Sequence, residues 1–156
     1  MSSHLFLELR EKRGLVYEIS SSVLHLIDTG ALYISMDLDK KNVLESINLI
    51  VEAMNNLKAH SFKKELERSK NYLQGRFMMR MESTLSVANW HGAQYVTHDR
   101  VISIDEIYQK MQSVTFSEIR DTASSIFVPE KTNLAIVGPE INNSDIAEIE
   151  QILLKL

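Results

Sequence analysis

The sequence has no cysteine among its 156 residues, which excludes disulfides, cysteine-ligated metals and a cysteine nucleophile. It has no apolar run of the roughly 18 residues that a membrane span needs. It also does not begin with a basic segment followed by an apolar stretch of the signal-peptide type. We therefore expect a soluble chain of unknown compartment, with the cytoplasm favoured because cysteine and a signal peptide are both missing.

Zinc-peptidase motifs are absent as well, since neither HxxEH nor HExxH occurs anywhere in the chain. The five histidines include no pair spaced three or four residues apart. His91 and His98 are seven apart and could share a helix face, but His98 falls past the end of the helix predicted over 83–96, so surface roles are favoured over metal ligation. The serines at 20–22 lie on a predicted strand without the GxSxG elbow of a serine hydrolase. The sequence thus predicts no metal site and no cofactor in this chain.

Positive charge is also limited, with 17 Lys and Arg against 21 Asp and Glu, a net charge of -4 and a pI near 5.7. Nucleic acids and anionic membranes favour a concentrated basic surface, so neither is an expected partner. One basic series stands out, but glutamates interrupt it and a solvated helix face explains it better. That series is Lys63, Lys64, Arg68, Arg76 and Arg80.

Composition is ordinary for a globular protein, with 44% hydrophobic and 24% charged residues, and the length fits one domain spanning 1–156. Period-two alternation predicts strands, and apolar spacing of three to four predicts helices. Strands are predicted over 15–27, 31–38 and 131–137, and helices over 3–12, 40–57, 62–81, 83–96, 104–111, 117–126 and 145–154. This order predicts an α+β fold with an antiparallel sheet covered on one face by several helices.

The most informative segment is 1–17, which reads MSSHLFLELREKRGLVY. This run resembles the insulinase (pitrilysin) family of zinc peptidases, which includes mitochondrial processing peptidase. Weaker similarities follow in the family's order at residues 20–22, 28–30, 64–73, 81–84 and 134–138. The resemblance implies the C-terminal, non-zinc domain of such a peptidase. Because the family places further strands ahead of this run, the chain is expected to lack the opening strands of its domain.

The resemblance also assigns roles to two residues. An Arg and a Tyr at the spacing of Arg10 and Tyr17 face the zinc site in the family, and contact the substrate backbone near the scissile bond. Composition alone would make Arg10 a helix-end surface residue and Tyr17 a packing residue. Their guanidinium and phenol groups are donors that can hold an oxyanion.

The implied function is the non-zinc half of a zinc metallopeptidase, which completes a peptide-binding chamber. Its expected partners are a zinc-bearing peptidase domain or subunit, which holds the zinc, and a peptide substrate. The alternative is a non-catalytic structural or assembly subunit of the same family. A generic α+β interaction domain would remain only if the motif match were accidental.

Two expectations concern surfaces. Without opening strands, a sheet edge is left free, and we expect self-association of the chain through it. Met78, Met79 and Met81 lie on a predicted helix at spacings that we interpret as core packing, in preference to a peptide-binding surface.

Overall fold

The computed structural model describes residues 3–60 and 62–156, and of His98 the main chain alone. Within the described ranges, a π-helix is followed by two strands and six α-helices. These elements are the N-terminal helix Phe6–Lys12, β1 Val16–His25, β2 Gly30–Leu38, α1 Val43–Ala59, α2 Lys63–Arg80, α3 Thr84–His98, α4 Ile104–Ser113, α5 Phe116–Ile126 and α6 Asn143–Leu153. The predicted α+β class is confirmed. No helix in the described ranges is long and apolar enough to cross a bilayer.

The strands form an antiparallel hairpin in which His25 pairs with Gly30. Glycine is required there, because a Cβ on Gly30 would lie 2.8 Å from the Leu24 carbonyl oxygen. One face of the hairpin carries Ile19, Ile34 and Met36, which pack against Ile50 of α1. The other face, which includes Ser20 and Ser22, is exposed. The helix therefore covers part of one face of the sheet, around Ile19, Ile34 and Met36, whereas Leu32 on the same face stays exposed.

The chain divides into two compact units, 1–60 with 121–156, and 61–120. In the first unit, α1 packs on the hairpin and also on α6, where Ile47 and Val51 meet Ile149 and Ile152. That unit contains the Arg10 and Tyr17 region. The expectation of a single domain stays a prediction.

The second unit contains a buried lysine that joins two helices. The Lys70 ammonium donates to the Gln112 carbonyl at the end of α4 (2.9 Å) and to Glu67 (3.2 Å). Phe77 and Trp90 pack edge to face, with ring centroids 5.4 Å apart. These contacts account for the packing of α2 on α3 and α4.

The predicted last strand at 131–137 is wrong. Pro129–Lys131 forms a 3-10 turn, and residues 132–137 belong to no helix or strand. Apolar alternation shows that side chains suit a sheet, but a strand also needs a neighbour to accept its backbone hydrogen bonds. Among the described residues the sheet has two strands and this segment has no ladder partner.

The interpretation of the α2 methionines as core residues is wrong for two of them. Met78 is 54% exposed and Met79 is 71% exposed, whereas Met81 is half-buried. Helical spacing places residues on a common face but does not show whether that face is covered.

A capping box formed by Thr115 and Glu118 lies at the start of α5. The Glu118 carboxylate accepts hydrogen bonds from the Thr115 N–H (2.7 Å) and hydroxyl (2.8 Å), and Thr115 Oγ1 accepts the Glu118 N–H (3.3 Å). The Thr115 N–H, followed by its hydroxyl, lowers the pKa of Glu118. The pKa of Glu118 is lower in the folded chain than in the unfolded chain. The ionised Glu118 therefore stabilises the fold at pH values above the unfolded pKa, and this stabilisation is lost as the pH falls through the folded pKa.

We expect Thr115→Ala to raise the pKa of Glu118 towards its ordinary value, because the hydroxyl donor is removed while the backbone N–H remains. The pKa of Glu106, which Lys110 lowers on α4, should not change and serves as the control. NMR titration of the glutamate side chains measures both values. An unchanged Glu118 pKa would show that the hydroxyl has no part in the effect.

Candidate functional site

The turn between the N-terminal helix and β1 positions both candidate site residues. Gly14 adopts a left-handed conformation with φ of 62°, which glycine reaches without a steric penalty. Its N–H donates to the Arg10 carbonyl (3.0 Å), and the Leu15 N–H donates to the Leu9 carbonyl (2.8 Å). Gly14 thus permits a sharp turn after the helix. Helix and strand are consequently joined by a short, hydrogen-bonded corner.

Arg10 lies in the last turn of the helix and is exposed. Its guanidinium carbon is 5.2 Å from the centroid of the Phe6 ring, one turn earlier on the helix. A cation over a ring face is weakly attracted to it, which favours one placement of a long side chain. The Arg10 side chain is otherwise exposed to solvent.

Tyr17 lies at an irregularity in β1. Val16 pairs with Leu38, and Glu18 pairs with the adjacent Asp37, so Tyr17 is an extra residue without a partner on β2. Its side chain is 65% exposed. A bulge of this kind changes the direction in which a side chain projects, and bulges are common beside active sites.

Each candidate residue directly follows a buried residue. Leu9, which precedes Arg10, is 1% exposed, and Val16, which precedes Tyr17, is 5% exposed. Both belong to a cluster with Leu15 and Ile19. Asn42 adds a hydrogen bond from its amide nitrogen to the Leu15 carbonyl (2.9 Å). The core thus anchors the corner, while Arg10 and Tyr17 project from it.

The structure places Arg10 and Tyr17 on the same corner. The guanidinium and the phenol are both hydrogen-bond donors, so each can donate to a carbonyl oxygen of a ligand.

The described residues form no cluster of three His, Cys, Asp or Glu side chains that could hold a metal ion. His91, one of the two histidines considered above, lies half-buried on α3. The residues present therefore do not fit a zinc site of the peptidase type, which needs converging ligands and an open position for water.

Two features of the site escaped the sequence interpretation. The bulge could have been found, because buried Val16 and Ile19 are three residues apart where a regular strand places them an even number apart. No local sequence pattern predicts the hydrogen bond that Asn42 donates to the Leu15 carbonyl, because the two residues are 27 positions apart in the chain.

The first part of the chain matches a known protein family. Residues 1–73 match the family model described as the Peptidase M16 inactive domain. The matched region includes the helix-to-strand corner, Arg10 and Tyr17.

Relatives align over most of the chain. An uncharacterized zinc protease of Bacillus subtilis, YmxG, is 30% identical over 143 residues, which cover 91% of this chain and 35% of that protein. One of Rickettsia bellii is 31% identical, covering 89% of this chain and 34% of the relative. One of Streptomyces coelicolor is 26% identical, with coverage of 89% and 30%. The chain spans about a third of the length of these curated relatives.

Proposed function

This chain belongs to the M16 (insulinase) peptidase family as an inactive, non-zinc domain, and we propose that it forms the zinc-free wall of a peptide-binding chamber. A second domain, in a longer chain or in a separate subunit, would hold the zinc. When bound there, zinc supplies a polarising cation and an activated water. The described residues of this chain do not form a metal site. Their proposed role is therefore to contact the substrate, whereas the zinc would be held by the other domain.

Arg10 and Tyr17 carry the proposal. Their exposure on a corner anchored by Leu9 and Val16 supports contact with a ligand from outside the domain. The guanidinium would hold the substrate backbone, and the phenol would donate to a carbonyl oxygen near the scissile bond. Donors fixed before the reaction stabilise negative charge on that oxygen without a cost of reorganisation.

The partner is tested by tagging the chain in the cells that encode it and identifying what copurifies. We expect a protein or domain with an HxxEH motif, and a copurified fraction that cleaves a fluorogenic peptide and stops when a zinc chelator is added. A stable complex without that motif and without chelator-sensitive cleavage would contradict the proposal, and would favour a structural or assembly subunit.

The isolated chain is expected to hydrolyse no peptide and to retain no stoichiometric zinc, because it contains no peptidase ligand set. The measurements are elemental analysis after dialysis against zinc-free buffer, and an assay with a fluorogenic peptide. One equivalent of zinc together with chelator-sensitive cleavage would overturn the assignment of zinc to another domain.

A further inference from the structure

A phenylalanine ring lies against the exposed arginine of the candidate site. The guanidinium carbon of Arg10 is 5.2 Å from the centroid of the Phe6 ring. Both residues belong to the N-terminal π-helix, in which hydrogen bonds join residues i and i+5, so each turn takes more residues than a turn of an α-helix. Residues four apart consequently lie on one side of this helix. The contact is therefore local and needs no other segment of the chain.

The Phe6 ring is fixed more firmly than the arginine that lies over it. Phe6 is half-buried and packs against the core cluster that contains Leu9 and Leu15. Its backbone N–H donates to the Ser3 hydroxyl oxygen (3.3 Å) near the start of the helix. Arg10 is exposed, and an exposed arginine side chain samples many rotamers, so any contact that it makes must offset the entropy lost in ordering it.

The carboxylates near the corner are engaged by other cations. Glu8, on the same helix, accepts a hydrogen bond from Lys12, and Glu45 of α1 lies 3.7 Å from Arg13. In this part of the described chain an uncharged ring, and not a carboxylate, lies against the Arg10 guanidinium. A ring face attracts the cation without accepting its N–H groups in pairs as a carboxylate does, so it orders the side chain and leaves the positive charge unneutralised.

We propose that Phe6 is a positioning residue for Arg10, and that its ring holds the guanidinium where the substrate backbone would meet it. The inference rests on the proposed function, in which Arg10 contacts the substrate, whereas Phe6 acts only through Arg10. A side chain that is ordered before binding loses less entropy when the substrate arrives. The ring thereby strengthens the contact between Arg10 and the substrate.

The placement is tested by NMR on the chain itself. Protons held over the face of an aromatic ring resonate upfield, so the side-chain protons of Arg10 should be shifted upfield in the parent. Phe6→Tyr keeps a ring and should retain this shift, whereas Phe6→Leu keeps an apolar side chain without a ring and should lose it. Phe116→Leu removes a half-buried ring from the second unit, and as the matched control it should leave the Arg10 signals unchanged. Unshifted signals in the parent, or a shift that persists in Phe6→Leu, would overturn the proposal.

The effect on turnover is measured on the assembly with the zinc-bearing partner. Phe6→Leu should lower kcat/KM for a fluorogenic peptide by about fivefold, the size expected of a cation–ring contact at an exposed site. Phe6→Tyr should restore the activity, because it restores a ring, and Phe116→Leu should stay within about twofold of the parent. Parent activity in Phe6→Leu would show that Arg10 is positioned without the ring.

Combining Phe6→Leu with Arg10→Ala separates positioning from a general loss of stability. If the ring acts through the guanidinium, Phe6→Leu should have almost no further effect once Arg10 is alanine. An undiminished loss in the Arg10→Ala background would show a structural role for Phe6 and overturn this inference, while the proposed function would stand. If Arg10→Ala alone leaves turnover unchanged, the proposed function is wrong and the inference is wrong with it.

Discussion

Arg10→Ala and Tyr17→Phe should each lower peptide turnover by about a hundredfold once the zinc-bearing partner is supplied. Each substitution removes a donor that the proposal places on the substrate backbone and on the carbonyl oxygen. The zinc content of the assembly should not change, because neither side chain lies in a metal site. Turnover of a fluorogenic peptide and elemental analysis of the same sample provide the two measurements.

Matched controls exist for both substitutions. Arg13→Ala removes another exposed arginine of the same corner, one that lies 3.7 Å from Glu45, and Tyr33→Phe removes an exposed hydroxyl from β2. Both controls should stay within about twofold of the parent, as surface changes usually do. If Arg10→Ala and Tyr17→Phe also stay within twofold, the two residues have helix-end and surface roles and the proposal is wrong.

The kinetic pattern separates two forms of substrate contact. Loss of a donor that acts only on the developing oxyanion lowers kcat and kcat/KM equally, whereas loss of ground-state binding raises KM alone. Tyr17→Phe is expected to follow the first pattern. Arg10→Lys keeps the positive charge but loses the planar set of N–H donors of the guanidinium. If the contact with the substrate backbone depends on these donors, lysine should not restore the activity that Arg10→Ala loses.

Much of the fold follows from local patterns. The alternation of β2 and the helical spacing in 43–57 predict the hairpin and α1, because each element buries one face and the sequence records which residues lie on it. The capping box at Thr115 is similarly local. The strand predicted over 131–137 was wrong for the opposite reason. A strand needs a neighbouring strand to pair with, and the residues of the segment do not specify one.

The candidate site was only partly predictable. Resemblance to the insulinase family singled out Arg10 and Tyr17. The bulge at Tyr17 and the hydrogen bond from Asn42 depend on register and on contacts distant in sequence. For Met78 and Met79 the limit is different, because a helical period is the same for a covered and an exposed face.

Leu9→Ala is expected to destabilise the first unit by about 2 to 5 kcal/mol, the usual cost of removing a buried leucine side chain and leaving a cavity. Leu9 is 1% exposed and packs with Leu15, Val16, Ile19 and Ile50, so the cavity would open at the centre of the cluster that anchors the corner. Urea denaturation of the chain measures the loss of stability.

Leu7→Ala is the matched control for Leu9→Ala, because Leu7 lies on the same helix and is 36% exposed. It should change stability by no more than about 0.5 kcal/mol. Hydrogen exchange gives a local measurement, since the Leu15 N–H donates to the Leu9 carbonyl at 2.8 Å and closes the corner. In Leu9→Ala this amide should exchange faster than in Leu7→Ala, because the turn opens more often once its buried anchor is gone. Equal exchange in the two variants would mean that Gly14 and Asn42 hold the corner without Leu9, and that the core does not fix the placement of Arg10.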